Sequence, residues 1–147
     1  MDIEEKFYRE GVSTATLTKR AVAYFIDDVL VSLVVVVMLW DTLMKASDVS
    51  SYIAVTNSAF FEIVMIRFIY QFIFVLLYGA TLGKQIMKIK IIDINTLDKP
   101  VFYGAISRAF VRTIGEVLFY FTFIFAFFDP YKRTLHDRVA NTAVVNV

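Results

Sequence analysis

The chemistry open to this chain lies in ionisable residues set at helical spacing inside apolar runs. Arg20 and Asp27 are seven positions apart, two helical turns on one face, with Tyr24 between them. Asp28 points about 100° away from Asp27. Glu62 and Arg67 interrupt a second run, where Arg67, Tyr70, Gln71 and Tyr78 recur at helical spacing as one polar stripe. Arg108, Arg112 and Glu116 follow at intervals of four and share a face. Arg112 and Glu116 are placed to pair at i, i+4.

Two kinds of chemistry fit such a set. Polar groups inside a bilayer hold helices together. They also mark ion and proton pathways, because each costs roughly 2.5–3.5 kcal/mol to insert and must be compensated. In the second reading Asp27 is the proton or cation site, since a desolvated carboxylate can exchange a proton near neutral pH. An Asp27–Arg67 ion pair is the contact expected between the first two runs. Arg108 and Arg112 are expected to snorkel to the headgroups, the alternative being contact with Asp27 or an anionic substrate.

Other chemistries find no support. There are no cysteines and His136 is the single histidine, so neither a thiolate nor a His-rich metal site is expected. His136 beside Asp137 has no dyad geometry, and Ser32, Ser107 and Thr122 have no histidine base nearby in sequence. Thr81-Leu82-Gly83-Lys84 holds only the last Gly-Lys of a phosphate-binding loop. No enzyme activity and no cofactor is expected. A net charge of +1 argues against nucleic-acid binding.

The elements that must carry these residues are membrane helices. The 147 residues are 59% hydrophobic and 16% aromatic, beyond what a soluble domain of this size can hide. Residues 21–40 and 59–80 are each long enough to span about 30 Å of hydrocarbon. Lys19, Arg20 and Trp40 flank the first span as interfacial anchors. The acids in that run, and the lack of a small-residue cleavage site, speak against a signal peptide.

Between the spans, residues 41–58 read as a short, slightly acidic outer loop. Lys84, Lys88, Lys90 and Lys99 place the loop 81–102 inside, together with a basic N-terminus. Lys88 to Ile94 alternates polar and apolar, then slips out of phase, and reads as a short strand before a turn at residues 95–100. Residues 142–147 read as a second strand, and the two can pair.

The third hydrophobic stretch, 103–128, is charged in its first half and aromatic in its second. Residues 117–128 reach only about 18 Å as a helix. The stretch is therefore one tilted span or a fold-back near Gly115. A basic tail, 129–147, and strand pairing with the inner loop favour the fold-back. Phe119, Phe121, Phe123, Phe125, Phe127 and Phe128 serve as a lipid-facing or packing surface. The fold class is thus an all-α integral membrane protein, with two transmembrane helices, a third helical segment near 105–128 and a short cytoplasmic β element, in a single domain over 1–147.

These pieces together resemble the RDD family of small prokaryotic membrane proteins, named for one arginine and two aspartates. Arg20 and Asp27 fit the arginine that opens the first span and the first aspartate seven residues on. Thr81-Leu82-Gly83-Lys84 and the strand ending at Asp93 look like the family's T-x-G-K segment and strand. Arg108 fits the arginine of the next segment. Leu135-His136-Asp137 and Thr142-Ala143-Val144-Val145 resemble its closing L-H-D…T-x-V-V, which makes Asp137 the second aspartate. The resemblance covers about residues 18–145. Lys88 and Asn141 stand where the family usually has glycine, and the turn after Asp93 lacks its usual glycine. Asp28 is an addition.

The resemblance implies transport of unidentified ligands, with cation/proton exchange in some members. The expectation is therefore a multi-pass protein of the inner (plasma) membrane, N-terminus cytoplasmic, carrying a cation or proton through an oligomer. Asp27 would be its site, with Arg20, Arg67 and Asp137 as gating or counter-ion partners. The alternative is an accessory or assembly subunit docking to a larger membrane complex. Residues 33–39 are wholly apolar, which favours the subunit or a site open to the cytoplasm.

Overall fold

The computed structural model describes residues 2–118 and 120–147. A short helix α1 (Ile3–Arg9) precedes α2 (Leu17–Met38), α3 (Trp40–Met44), α4 (Val49–Ser58) and α5 (Phe60–Tyr78). Then come α6 (Leu82–Ile86), β1 (Ile89–Asp93) and α7 (Phe102–Val117). A 3-10 turn (Phe121–Phe123), α8 (Phe125–Phe128), α9 (Leu135–Val139) and β2 (Thr142–Asn146) complete the chain.

Two helices, α2 and α5, are long and apolar enough to cross a membrane. Thr16 caps α2 by accepting from the Lys19 amide at 3.3 Å, the usual use of a threonine at that position. Gly79 closes α5 in the left-handed region, φ 68°, donating to Val75 O at 2.9 Å. Most of both helices is unburied within the chain, with Phe25, Leu33, Val37, Phe61 and Leu77 among the exposed side chains. In water that surface would be untenable, whereas in hydrocarbon it costs nothing.

The segment read as an outer loop is largely helical, a difference with a local cause. Asp48 accepts from the Ser51 amide at 3.2 Å and starts α4.

Strands β1 and β2 pair antiparallel, with Ile91 opposite Val144 and Ile92 opposite Ala143. Both faces of this ribbon are covered. Ile89, Ile91 and Val144 join Ala15, Ala23, Val75 and Ala105 in the core between the helix ends. Ile92, Ile94, Ala143 and Val145 pack instead with Phe7 of α1. Coverage on both sides explains why β1 breaks strict alternation at Ile91-Ile92. Thr14 adds a single bridge to Val145.

That pairing fixes topology. The N-terminal segment, the loop after α5 and the C-terminal strand lie together on one side of α2 and α5. Residues between β1 and β2 must return to the side they left. The chain does so by turning 118° between Phe102–Val117 and Phe121–Phe128. Tyr120 takes φ 61° and donates to Gly115 O at 2.7 Å. A Cβ on Gly115 would lie 2.3 Å from Thr122 Oγ1, so glycine permits the turn to close against α7. A bend of this size makes the stretch a broken span or a re-entrant turn, and the pairing of β1 with β2 favours the turn. Of the six phenylalanines, Phe119 lies outside the described residues. Phe121, Phe127 and Phe128 are exposed, while Phe123 packs edge-on against Tyr24 and His136.

The glycine departures have a backbone meaning. Lys88, Asn141 and Leu97 all adopt positive φ, at 54°, 51° and 58°. A side chain there costs roughly 1–2 kcal/mol, least for asparagine. Lys88→Gly is expected to raise stability by about 0.5–1 kcal/mol, after the extra freedom of unfolded glycine is subtracted. Asn141→Gly should gain less. Thermal unfolding midpoints of the two variants check this ordering.

Candidate functional site

Three carboxylates organise the polar interior. The first is Asp137, fully buried at the third position of α9. Its Oδ2 accepts from the Thr134 amide at 2.9 Å and from Thr134 Oγ1 at 2.8 Å, which pins it before any cation approaches. Arg20 Nη2 reaches Oδ2 at 2.5 Å, and Arg108 Nη1 donates to Oδ1. Arg108 also donates to Thr142 Oγ1 at 2.9 Å. Burial pushes the Asp137 carboxyl up, but Arg108 and Arg20 overrule it and hold it well below the usual range.

Asp27 forms the second centre. It accepts from Tyr70 Oη at 2.6 Å, Thr81 Oγ1 at 2.6 Å and the Gly83 amide at 2.8 Å. All three donors are neutral and come from α5 and the start of α6. Gly83 lies so close to α2 that a Cβ there would fall 2.1 Å from Ala23 O.

The third centre is Glu116. Arg112 Nε donates to it at 3.0 Å, the expected i, i+4 pair, and Tyr24 Oη donates to the same oxygen. Arg112 Nη1 donates to Gln71 Oε1 at 2.6 Å, and its guanidinium stacks 4.1 Å from the Tyr24 ring centroid.

Three expectations are corrected. Arg67 pairs with Asp28 at 2.6 Å and approaches Glu116 at 3.6 Å, not Asp27. The face of α2 turned toward Arg67 carries Asp28, while Asp27 is held by Tyr70 and the T-x-G-K segment. Arg108 and Arg112 do not snorkel, being each 2% exposed and held by buried oxygens. Glu62 stands exposed in the first turn of α5, away from the network, where a helix N-terminus favours an acid.

Sequence reasoning missed Lys84, Thr81, Thr134 and Thr142 as working residues. The first two were visible as the T-x-G-K segment. Lys84 is 5% exposed, and among the described residues its ammonium donates no hydrogen bond and makes no ion pair. Burial, then Arg112 and Arg108, push its pKa well below the ordinary lysine value.

These residues enclose a cavity of about 300 Å³. Arg20, Lys84, Arg108 and Arg112 face it, together with Tyr24 and His136. Leu17, Ala21, Phe123, Ala126 and Phe127 complete its apolar side. Among the described residues no carboxylate lines it, although Asp137 holds Arg20 and Arg108 and Glu116 holds Arg112. His136 is buried, and burial drives its imidazole well below the usual range, so it is neutral. Its Nδ1 has no partner. No group of three His, Cys, Asp or Glu that could hold a metal ion occurs among the described residues.

Known proteins place the chain. It is 28% identical over 102 residues to an uncharacterized protein of Rickettsia prowazekii, covering 69% of this chain and 57% of that one. It is 26% identical over 70 residues to a proline-rich antigen homolog of Mycobacterium tuberculosis, covering 47% of this chain and 29% of that one. The chain thus spans little more than half of the first relative and under a third of the second. No solved structure is significantly similar. The RDD family model matches residues 14–141, from the bridge at Thr14 to the residue before β2, and the chain belongs to the RDD family.

Proposed function

We propose that this chain is a membrane-embedded anion-binding module whose site is the basic cavity. The observation that carries the reading is the lining: four cationic side chains and no acid. The cavity is open on one side, its arginines are held by Asp137 and Glu116, and an anion would pair with the ammonium of Lys84. Its placement beside the basic N-terminus and the lysine-rich loop supports an inner-membrane protein with this face cytoplasmic.

Cation or proton transport through Asp27 is the second reading, favoured by a carboxylate buried within a spanning helix. Its three neutral donors speak for a structural clamp between α2, α5 and α6 instead. Because the cavity is built within one chain, anion binding needs neither an oligomer nor a larger complex, though either can accommodate it.

Thermal unfolding of the purified chain in mild detergent tests the reading, with inorganic phosphate titrated at constant ionic strength. The midpoint is expected to rise with the logarithm of phosphate concentration above Kd, by about 2.7 kcal/mol of stabilisation at a hundredfold excess. Lys84→Met removes a buried charge, so it should remain folded and lose about tenfold or more in apparent affinity. A wild-type protein indifferent to phosphate, with proteoliposome cation flux abolished by Asp27→Asn, would overturn it in favour of transport.

A further inference from the structure

We infer that the cavity takes the phosphate headgroup of an anionic membrane lipid, an inference that rests on the anion-binding reading above. Three observations carry it. The volume, about 300 Å³, is well beyond that of one phosphate group, and the space remaining is bounded by Leu17, Ala21, Phe123, Ala126 and Phe127. An inorganic anion gains nothing from those walls, whereas an amphiphile uses both halves. The rim is also open to hydrocarbon rather than closed by polar groups: Phe127 is 74% and Tyr120 44% exposed.

The depth fits as well. Arg20 lies in the first turn of α2, at the level where a headgroup meets the acyl region, and Ala21 and Tyr24 continue one face downward. Basic pockets between membrane helices on the cytoplasmic side are where anionic headgroups bind. The phosphate would sit among Arg20, Lys84, Arg108 and Arg112. One acyl chain would follow the α2 face and the Phe123–Phe127 wall into the bilayer.

The test compares lipid with free anion on the full chain. Native mass spectrometry of the protein released from phosphatidylglycerol or phosphatidylcholine nanodiscs counts retained lipid. Thermal unfolding with inorganic phosphate is run in parallel. Phosphatidylglycerol is expected to be retained at one per chain, about tenfold in preference to phosphatidylcholine. Lys84→Met should abolish that preference. Phe127→Ser should weaken lipid retention several-fold, and by more than it weakens the phosphate response. A phosphate response without lipid retention, or equal retention of both lipids, would overturn the lipid inference while leaving the anion site standing. No response to either probe would overturn both.

Discussion

Asp137→Ala is expected to unfold the protein or bring it close to unfolding, with a loss of about 3–5 kcal/mol. The substitution leaves Arg20 and Arg108 without their shared carboxylate, and Arg108 is 2% exposed. A buried guanidinium without a counter-charge is among the costliest lesions a fold can suffer. The Thr134 amide also loses its acceptor at the start of α9. Asp137→Asn keeps the shape but not the charge, and should fall between wild type and alanine.

The sign with pH follows from the same contacts. The folded carboxyl is held well below its ordinary value by Arg108 and Arg20, against burial. Its stabilisation is therefore fully present above the unfolded value of about 3.9. It is lost progressively as pH falls from there toward the lowered folded value. Thermal unfolding across that acid range should show a limb that Asp137→Asn flattens.

Gly83→Ala is the second large effect, expected at about 3 kcal/mol or more. An added Cβ would sit 2.1 Å from Ala23 O and 2.8 Å from Asp27 Oδ1. The first is backbone and cannot swing aside, so α6 must move off α2. Moving it removes the Gly83 and Thr81 donors from Asp27 and carries Lys84 out of the cavity. Chromatographic monodispersity and the unfolding midpoint measure the loss. Gly115→Ala should also destabilise, because the buried, β-branched Thr122 side chain fills the space its Cβ would need.

What the sequence made legible was periodicity. The two spans, the paired strands, the Arg112–Glu116 pair and the shared face of Arg20, Tyr24 and Asp27 all follow from spacing within one element. The rotation of one helix against another is not written in spacing. Asp27 and Asp28 are adjacent and about 100° apart, and only the packing of α5 on α2 decides which meets Arg67. The fate of Arg108 and Arg112 turned on the same point. Snorkelling is the cheap answer for an isolated helix end, and it fails once Asp137, Gln71 and Glu116 are brought to them by other segments. The positive φ values at Lys88, Leu97 and Asn141 were foreshadowed only by the absence of glycines the resemblance led one to expect. Lys84 escaped notice because a lysine after a span reads as a topology signal. Its burial depends on Gly83 admitting α6 against α2.

The central claim is that an anion enters the cavity and pairs with the amine of Lys84. The groups facing that amine are Arg20 and Asp27 from α2, Arg108 and Arg112 from α7, and His136 from α9. Burial, Arg112 and Arg108 hold its pKa well below 10.5, and a bound anion raises it. Where pH reaches that lowered value, binding takes up a proton, and affinity falls as pH rises further. Calorimetric titration with sulfate, which does not itself titrate near neutrality, in two buffers of different ionisation enthalpy reads that proton directly. At that pH the account predicts net uptake on binding, absent in Lys84→Met. Sulfate binding with no proton uptake and no sensitivity to Lys84→Met, or no binding at all, would contradict it.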